Sequence, residues 1–492
     1  MYKKVTKILI LIMVLSVPLF LVGCKKKCPN PKNNIPGTST FRSDCEYQKT
    51  DTLSGKKEIN FYFVHDNTDA FREQIQAFQS KNPGVTVKMK KFVNLEEYED
   101  LVINEIAEGE GPDVFMIHNS WMLKHYKKLL PMPASLPVVT TVDSFKQTYF
   151  QAAADDLIVN NKIYGMPLAI DNLAIYYNKA YFKDLIATAD KPALIWKDIK
   201  DQVYTLTKKD NSLERFSLAG MAMGRADNIT SGIDILYTLM LQYGVDFYDS
   251  EGKNATFAGS TAGSSGFSSP GKEALTLFTS FALPTYKNYS WNDVITGYSP
   301  KEKDVNPFAR GKVAMIAGYP YLYDVIVKSI QNQQKAGKDY MDIKNIGIAP
   351  MPQLVSKTDG TKRDTLASYF PLAVARTTKL PTESWSLIQY LTTANSLQTY
   401  HKKTKRPTSR KDMVKEQQTE ALFGVFAYQA PFAKSFRIYD AANYKKVFTK
   451  AIQDVVKNVS TPDQALSNAQ TKITCIIQKQ RGIAKSDTDC NL

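Results

Sequence analysis

Residues 59–117 read INFYFVHDNTDAFREQIQAFQSKNPGVTVKMKKFVNLEEYEDLVINEIAEGEGPDVFMI. Ile59 to Val64 is a short apolar and aromatic run that fits a strand. His65-Asp66-Asn67-Thr68 follows as a turn and helix cap. Phe71, Ile75 and Phe78 then recur at spacings of four and three, which predicts a helix with one apolar face. Asn82-Pro83-Gly84 stops it, and Val85, Val87 and Met89 alternate as a second strand. Leu95, Tyr98, Val102 and Ile106 mark the next helix. Gly111-Pro112 breaks that helix, and Asp113 to Ile117 forms a third strand. The β-α-β-α-β order predicts an α/β fold with a mostly parallel sheet covered by helices. Ligands of such sheets sit beyond the carboxyl ends of the strands. That rule points to Asp66 and Asn67 after the first strand, and to Asn119, Ser120 and Trp121 after the third.

Working outward, the chain has 492 residues, 43% of them hydrophobic and 11% aromatic. That is too long for one core and rich enough for two or more packed lobes. The first 24 residues differ in kind. Lys3, Lys4 and Lys7 precede an apolar run, Ile8 to Val22, broken only by Ser16 and Pro18. The run is about 15 residues, short of the roughly 20 that span a bilayer as a helix. Gly23 then stands directly before Cys24. This is the layout of an export signal, and it resembles a bacterial lipoprotein signal. The resemblance implies removal of residues 1–23, lipid on Cys24, and a cell-membrane location on the extracytoplasmic face, periplasmic or extracellular. Residues 24–56, rich in Lys, Pro, Asn, Ser and Thr, read as a lipidated flexible spacer.

With Cys24 assigned to lipid, four of the five cysteines remain: Cys28, Cys45, Cys475 and Cys490. Export permits disulfides, and four cysteines allow three pairings. Local closure, 28 with 45 and 475 with 490, costs least loop entropy. The net charge of +15 is spread among acidic residues, so nucleic acid is not an expected partner; anionic surfaces or plain solvation are. The sequence carries no Gly-x-Ser-x-Gly elbow, His-Glu-x-x-His, P-loop or dinucleotide fingerprint, so an enzyme is not expected. The four histidines, His65, His118, His125 and His401, read as surface or structural residues. Tyr176 and Tyr177 are neighbours on a strand and face opposite ways, so they do not converge on iron. No metal or cofactor is expected.

The order of later segments carries more. Gly111 to Ile117 is followed by Tyr164-Gly165-Met166-Pro167-Leu168-Ala169-Ile170-Asp171-Asn172 and Tyr176-Tyr177-Asn178-Lys179. Then come Phe308 to Met315, Gly318-Tyr319-Pro320-Tyr321, Ile346 to Pro352, Trp385 to Leu391, Arg406-Pro407-Thr408-Ser409-Arg410, and a capping box at Thr461-Pro462-Asp463-Gln464. Together, over residues 57–476, these resemble the extracellular solute-binding proteins of ABC importers, in the sugar-binding cluster that includes maltose-binding protein. The resemblance implies a two-lobed periplasmic-binding-protein-like fold, with each lobe a mostly parallel sheet flanked by helices. It places three crossings between the lobes near 168–171, 368–371 and 407–411. The N-terminal lobe is then 57–168 plus 371–408, the C-terminal lobe 169–368 plus 409–476, and residues 477–492 a tail. It also implies a monomer that captures a mono- or oligosaccharide by hinge closure and hands it to ABC permease subunits.

A pyranose offers hydroxyls at its rim and CH groups on its faces, so carboxylates, amides and aromatic rings suit it. Asp171, with Asn172, matches a position that carries a ligand-facing acid in sugar-binding relatives. Ser120 stands where those relatives place a charged or amide residue. Trp121 is a candidate stacking ring. Tyr321, beside Tyr319, matches a stacking position, and Tyr369 lies near the second crossing. Arg406 either neutralises an acidic ligand or faces water. Two other readings stay open: a peptide- or amino-acid-binding member of the scaffold, with Asp171 for the amine and Arg406 for the carboxylate, and a surface enzyme or adhesin acting on wall polymers.

Overall fold

The computed structural model describes residues 56–134, 136, 141–186, 189–210, 215–259, 268–293, 303–354, 363–482 and 490. The signal, the spacer and Cys24, Cys28 and Cys45 lie outside the described residues.

The first lobe opens with β1 (Lys57–Val64), α1 (Asp69–Lys81), β2 (Val85–Phe92), α2 (Leu95–Glu108) and β3 (Val114–Met116). Alternation in β1 sends Phe61 and Phe63 inward, and both rings meet Phe71 of α1 edge-on at 5.2 and 5.3 Å. Burying each such ring contributes about 1.5–3 kcal/mol. Gly84, at φ +92°, makes the turn that a side chain would strain. Thr68 occupies the cap position of α1 without a side-chain cap bond.

Further along lie β4 (Met166–Pro167), β5 (Ala174–Asn178), α3 (Gly232–Tyr243), β6 (Met315–Gly318), β7 (Ile346–Pro350), β8 (Thr365–Leu366), β9 (Pro371–Val374) and β10 (Ala433–Lys434). The chain closes on α4 (Ala441–Val456) and α5 (Pro462–Gln480). The first sheet has the order β2-β1-β3-β9-β4. β1 pairs in parallel with β2 and β3, whereas β9 is antiparallel to both its neighbours. The second sheet, β6-β5-β7, is wholly antiparallel. The α/β two-lobed architecture is therefore as expected, but a mostly parallel sheet in the second lobe is not. The reason is directional. β5 starts at a crossing and runs away from it, while β6 and β7 run back toward it.

Buried side chains form two separate cores. One draws on residues 59–170 and 367–433, the other on 173–366 and 426–477. The segments that connect them lie side by side. Ala169 bridges Thr408, Asn172 bridges Ala367, and β8 pairs in parallel with β10. Residues 409–433 touch both cores: Met413, Val414, Ala430 and Ala433 pack on the first, Phe426 on the second. Cys475 and Cys490 form a disulfide that ties residue 490 back to α5. Among the described residues no helix is long and apolar enough to cross a membrane.

Candidate functional site

The carboxyl ends of β1, β3 and β6 and the start of β9 open onto one cleft between the two cores. Its central cavity, about 360 Å3, is lined by His65, His118, Ser120, Trp121, Asp171, Tyr319 and Tyr321 among others. His65 follows β1 directly and holds φ +66°, a left-handed conformation that costs a non-glycine residue on the order of 1–2 kcal/mol. That backbone turn carries the imidazole toward the opposite lobe, where it lies nearly parallel to Tyr321, 5.8 Å between centroids. Tyr321 stacks in turn near Tyr319 at 6.2 Å. On the first lobe, Phe370 sits edge-on to His118 at 4.8 Å, to His65 at 5.2 Å and to Trp121 at 6.1 Å. The cleft thus has aromatic walls on both sides.

Its floor is ionic. Arg406 is only 5% exposed. It reaches Asp66 Oδ1 through Nη2 at 3.0 Å and donates through Nη1 to Asp171 Oδ2. The Tyr400 hydroxyl donates to Asp66 Oδ2 at 2.7 Å. Burial pushes the Asp171 carboxyl up to about 6 against the pull of Arg406, and Asp66 adds to the rise. Burial opposes the charge on Arg406, but Asp171 and Asp66 outweigh it and hold the guanidinium above its ordinary value. Asp171 Oδ1 is buried and accepts no hydrogen bond among the described residues. Asp171 itself lines the cavity, so this unsatisfied acceptor lies close behind its wall.

The two cleft histidines are neutral. Burial takes His65 down to about 4, helped by Arg406 and Lys91 against Asp66. Burial and the neighbouring His65 take His118 to about 3. Nδ1 of His118 accepts from the Ser120 N–H at 3.3 Å. That contact puts the ring proton on Nε2, which donates to Ser368 Oγ at 2.9 Å.

Several expected residues stand elsewhere. Tyr369 is fully buried in the first core, where its hydroxyl donates to Asp156 Oδ2 at 2.8 Å. Asn119 borders the cleft, yet its amide donates to Asp156 at 3.0 Å and its carbonyl accepts from the Tyr369 N–H at 3.2 Å. Asn172 is fully buried between the crossing strands. It donates to Ile170 and Phe426 carbonyls and accepts from Gln429. Asn67 lies in an adjoining cavity of about 570 Å3 and accepts from Lys91. Arg406 neither faces water nor stands free. Asp66, Ser120, Trp121, Asp171, Tyr319, Tyr321 and Arg406 are brought together.

Sequence reasoning passed over His65, His118, Phe370 and Asp234. The two histidines sit at strand ends that the carboxyl-end rule already marked, so that rule could have found them. Phe370 alternates with Tyr369 in an extended segment, and no pattern in one sequence fixes which ring faces the cleft. Asp234, on the first turn of α3, is pushed up to about 6 by burial; nothing in its neighbourhood signals this. His125 and His401 are structural, bound to Glu99 at 2.9 Å and to the Leu168 carbonyl at 3.1 Å.

Two cores joined by adjacent crossing strands, with a cleft between them, define a two-lobed binding-protein fold. The chain belongs to the bacterial extracellular solute-binding protein family, whose model matches residues 73–427. That membership makes it a binding protein rather than an enzyme. A putative binding protein of Brucella abortus (strain 2308) is 21% identical over 425 residues, 83% of this chain and 90% of the relative. A maltodextrin-binding protein of Bacillus subtilis (strain 168) is 26% identical over 313 residues, 63% of this chain and 64% of the relative. Among solved structures, the sugar-binding protein MalE from Xanthomonas citri aligns with a TM-score of 0.67 at 18% identity, covering 87% of this chain and 99% of that one. An ABC transporter solute-binding protein from Thermotoga lettingae, bound with alpha-D-tagatose, aligns with a TM-score of 0.62 at 19% identity, covering 86% and 100%.

Proposed function

We propose that this protein captures a carbohydrate by closing its two lobes and delivers it to the permease of an ABC importer, held to the membrane by lipid on Cys24. The observation that carries the carbohydrate reading is the pairing of aromatic faces with an unsatisfied acceptor. Trp121 and Phe370 on one wall and Tyr319 and Tyr321 on the other suit the CH faces of a sugar ring, and Asp171 Oδ1 suits a hydroxyl. The sugar ligands of the structural relatives support it. We take the lobes as 57–168 plus 371–408 and 169–368 plus 409–476, with 409–433 packing on both cores and α5 running on to Gln480, so that Ile477 belongs to the second core and not to a tail starting at 477. The amino-acid reading is disfavoured, because Arg406 is already matched by two carboxylates and Asp171 by Arg406.

A thermal-shift screen of residues 25–492 against mono-, di- and oligosaccharides, then amino acids and peptides, tests the ligand class. Binding to the native state raises the melting temperature with ligand excess. A saccharide that raises it supports the reading, and a response to amino acids or peptides alone contradicts it. Metabolic labelling with a fatty acid, compared between wild type and Cys24→Ala, tests the anchor; equal label in both contradicts it.

A further inference from the structure

A third cavity, about 720 Å3, continues the cleft on the side away from Asn67 and shares Asn119, Phe436 and Ile438 with the central one. Its cations come from both lobes. Lys124 and Lys127 line it from the turn after β3, where Tyr126 packs on the first core; Arg437 and Arg481 line it from the other side. Phe436, stacked on Phe247 at 3.9 Å and 6°, anchors the Arg437 segment to the second core. Two carboxylates, Asp155 and Asp156, share this cavity with the four cations, and only neutral donors bond to them. Asp156 accepts from Ser435, Tyr369 and Asn119, and Asp155 accepts from Gln151. Lys124 is paired with Glu99 at 3.2 Å. Arg481 donates to the Glu251 carbonyl at 3.0 Å, which leaves its charge uncancelled. Lys127 and Arg437 make no ion pair and no side-chain hydrogen bond among the described residues.

The four cations outnumber the two carboxylates, and Lys127 and Arg437 reach the cavity from different lobes, an excess of positive charge that an anionic group would offset. We propose that the ligand is an acidic saccharide whose carboxylate, sulfate or phosphate group sits in this third cavity between Lys127 and Arg437, while its sugar rings occupy the aromatic part of the cleft. The proposal rests on the carbohydrate reading and goes beyond it by naming the charge of the ligand.

Isothermal titration tests it with matched pairs: tetragalacturonate and its methyl ester, a chondroitin tetrasaccharide with and without sulfate, and maltotetraose with and without a phosphate ester. The acidic member of at least one pair should bind about tenfold or more tightly than its uncharged partner, and added salt should weaken that preference. In K127Q/R437Q, both exposed positions, the acidic-to-neutral ratio should fall about tenfold, with the melting temperature of the free protein reporting intact folding. Uncharged members binding as tightly as acidic ones, or a preference that survives K127Q/R437Q, overturns this proposal and leaves the carbohydrate reading standing. Binding of no saccharide in either form overturns both.

Discussion

Arg406 holds the floor of the cleft together. It pairs with Asp66 and Asp171, both buried, which reach it from the end of β1 and from the first crossing. Removing one partner of a buried ionic group leaves the others uncompensated, at a cost of about 3–5 kcal/mol. Arg406→Met should therefore destabilise the fold by about that amount in urea unfolding; a change below about 1 kcal/mol would mean that water already screens the triad. The histidines make a second test at this scale. In the folded protein His65 and His401 ionise near 4 and His118 near 3, against an ordinary 6.5. Between those values the unfolded chain takes up protons that the folded chain refuses. Their contribution to stability is full above pH 6.5 and is lost as pH falls toward 4. Asp156, Asp171 and Asp234, raised to about 6, act in the opposite sense: their contribution is present below about 4 and lost as pH rises through 6. A single substitution separates the two sets. In H401Q the loss of stability between pH 6.5 and 4.5 should be smaller than in wild type; equal losses would show that His401 ionises normally in the fold.

At the scale of elements, local signals and pairing in space diverge. The capping box at Thr461 was legible because both partners lie within one turn: Gln464 N–H bonds to Thr461 Oγ1, and Thr461 N–H to Gln464 Oε1. Thr461→Ala should cost about 1 kcal/mol in thermal or urea unfolding, and no change would mean that α5 is held by packing alone. The first three strands and two helices were equally legible, since each has its own period. Strand sense in the second lobe was not, because β5, β6 and β7 come together from residues 174 to 350. The site divides along the same line. Asp66, Trp121 and Asp171 follow strand ends or a crossing, which sequence order reveals. Tyr369 and Phe370 do not divide that way: one residue of register in an extended segment exchanges core for cleft. Asp234 enters the cleft only through the packing of α3.

For the whole molecule, the proposed capture turns two separate cores on three adjacent connections. Asn172 and Gln429 tie these connections with buried side-chain bonds. A ligand favours the closed state only through what it touches on both lobes. In the proposed binding mode these contacts are Trp121 and Phe370 on one side and Tyr319 and Tyr321 on the other. Small-angle scattering of residues 25–492, with and without a saccharide shown to raise the melting temperature, tests this most directly. The account predicts a smaller radius of gyration with ligand. A saccharide that binds at full occupancy and leaves the radius unchanged would contradict capture by closure.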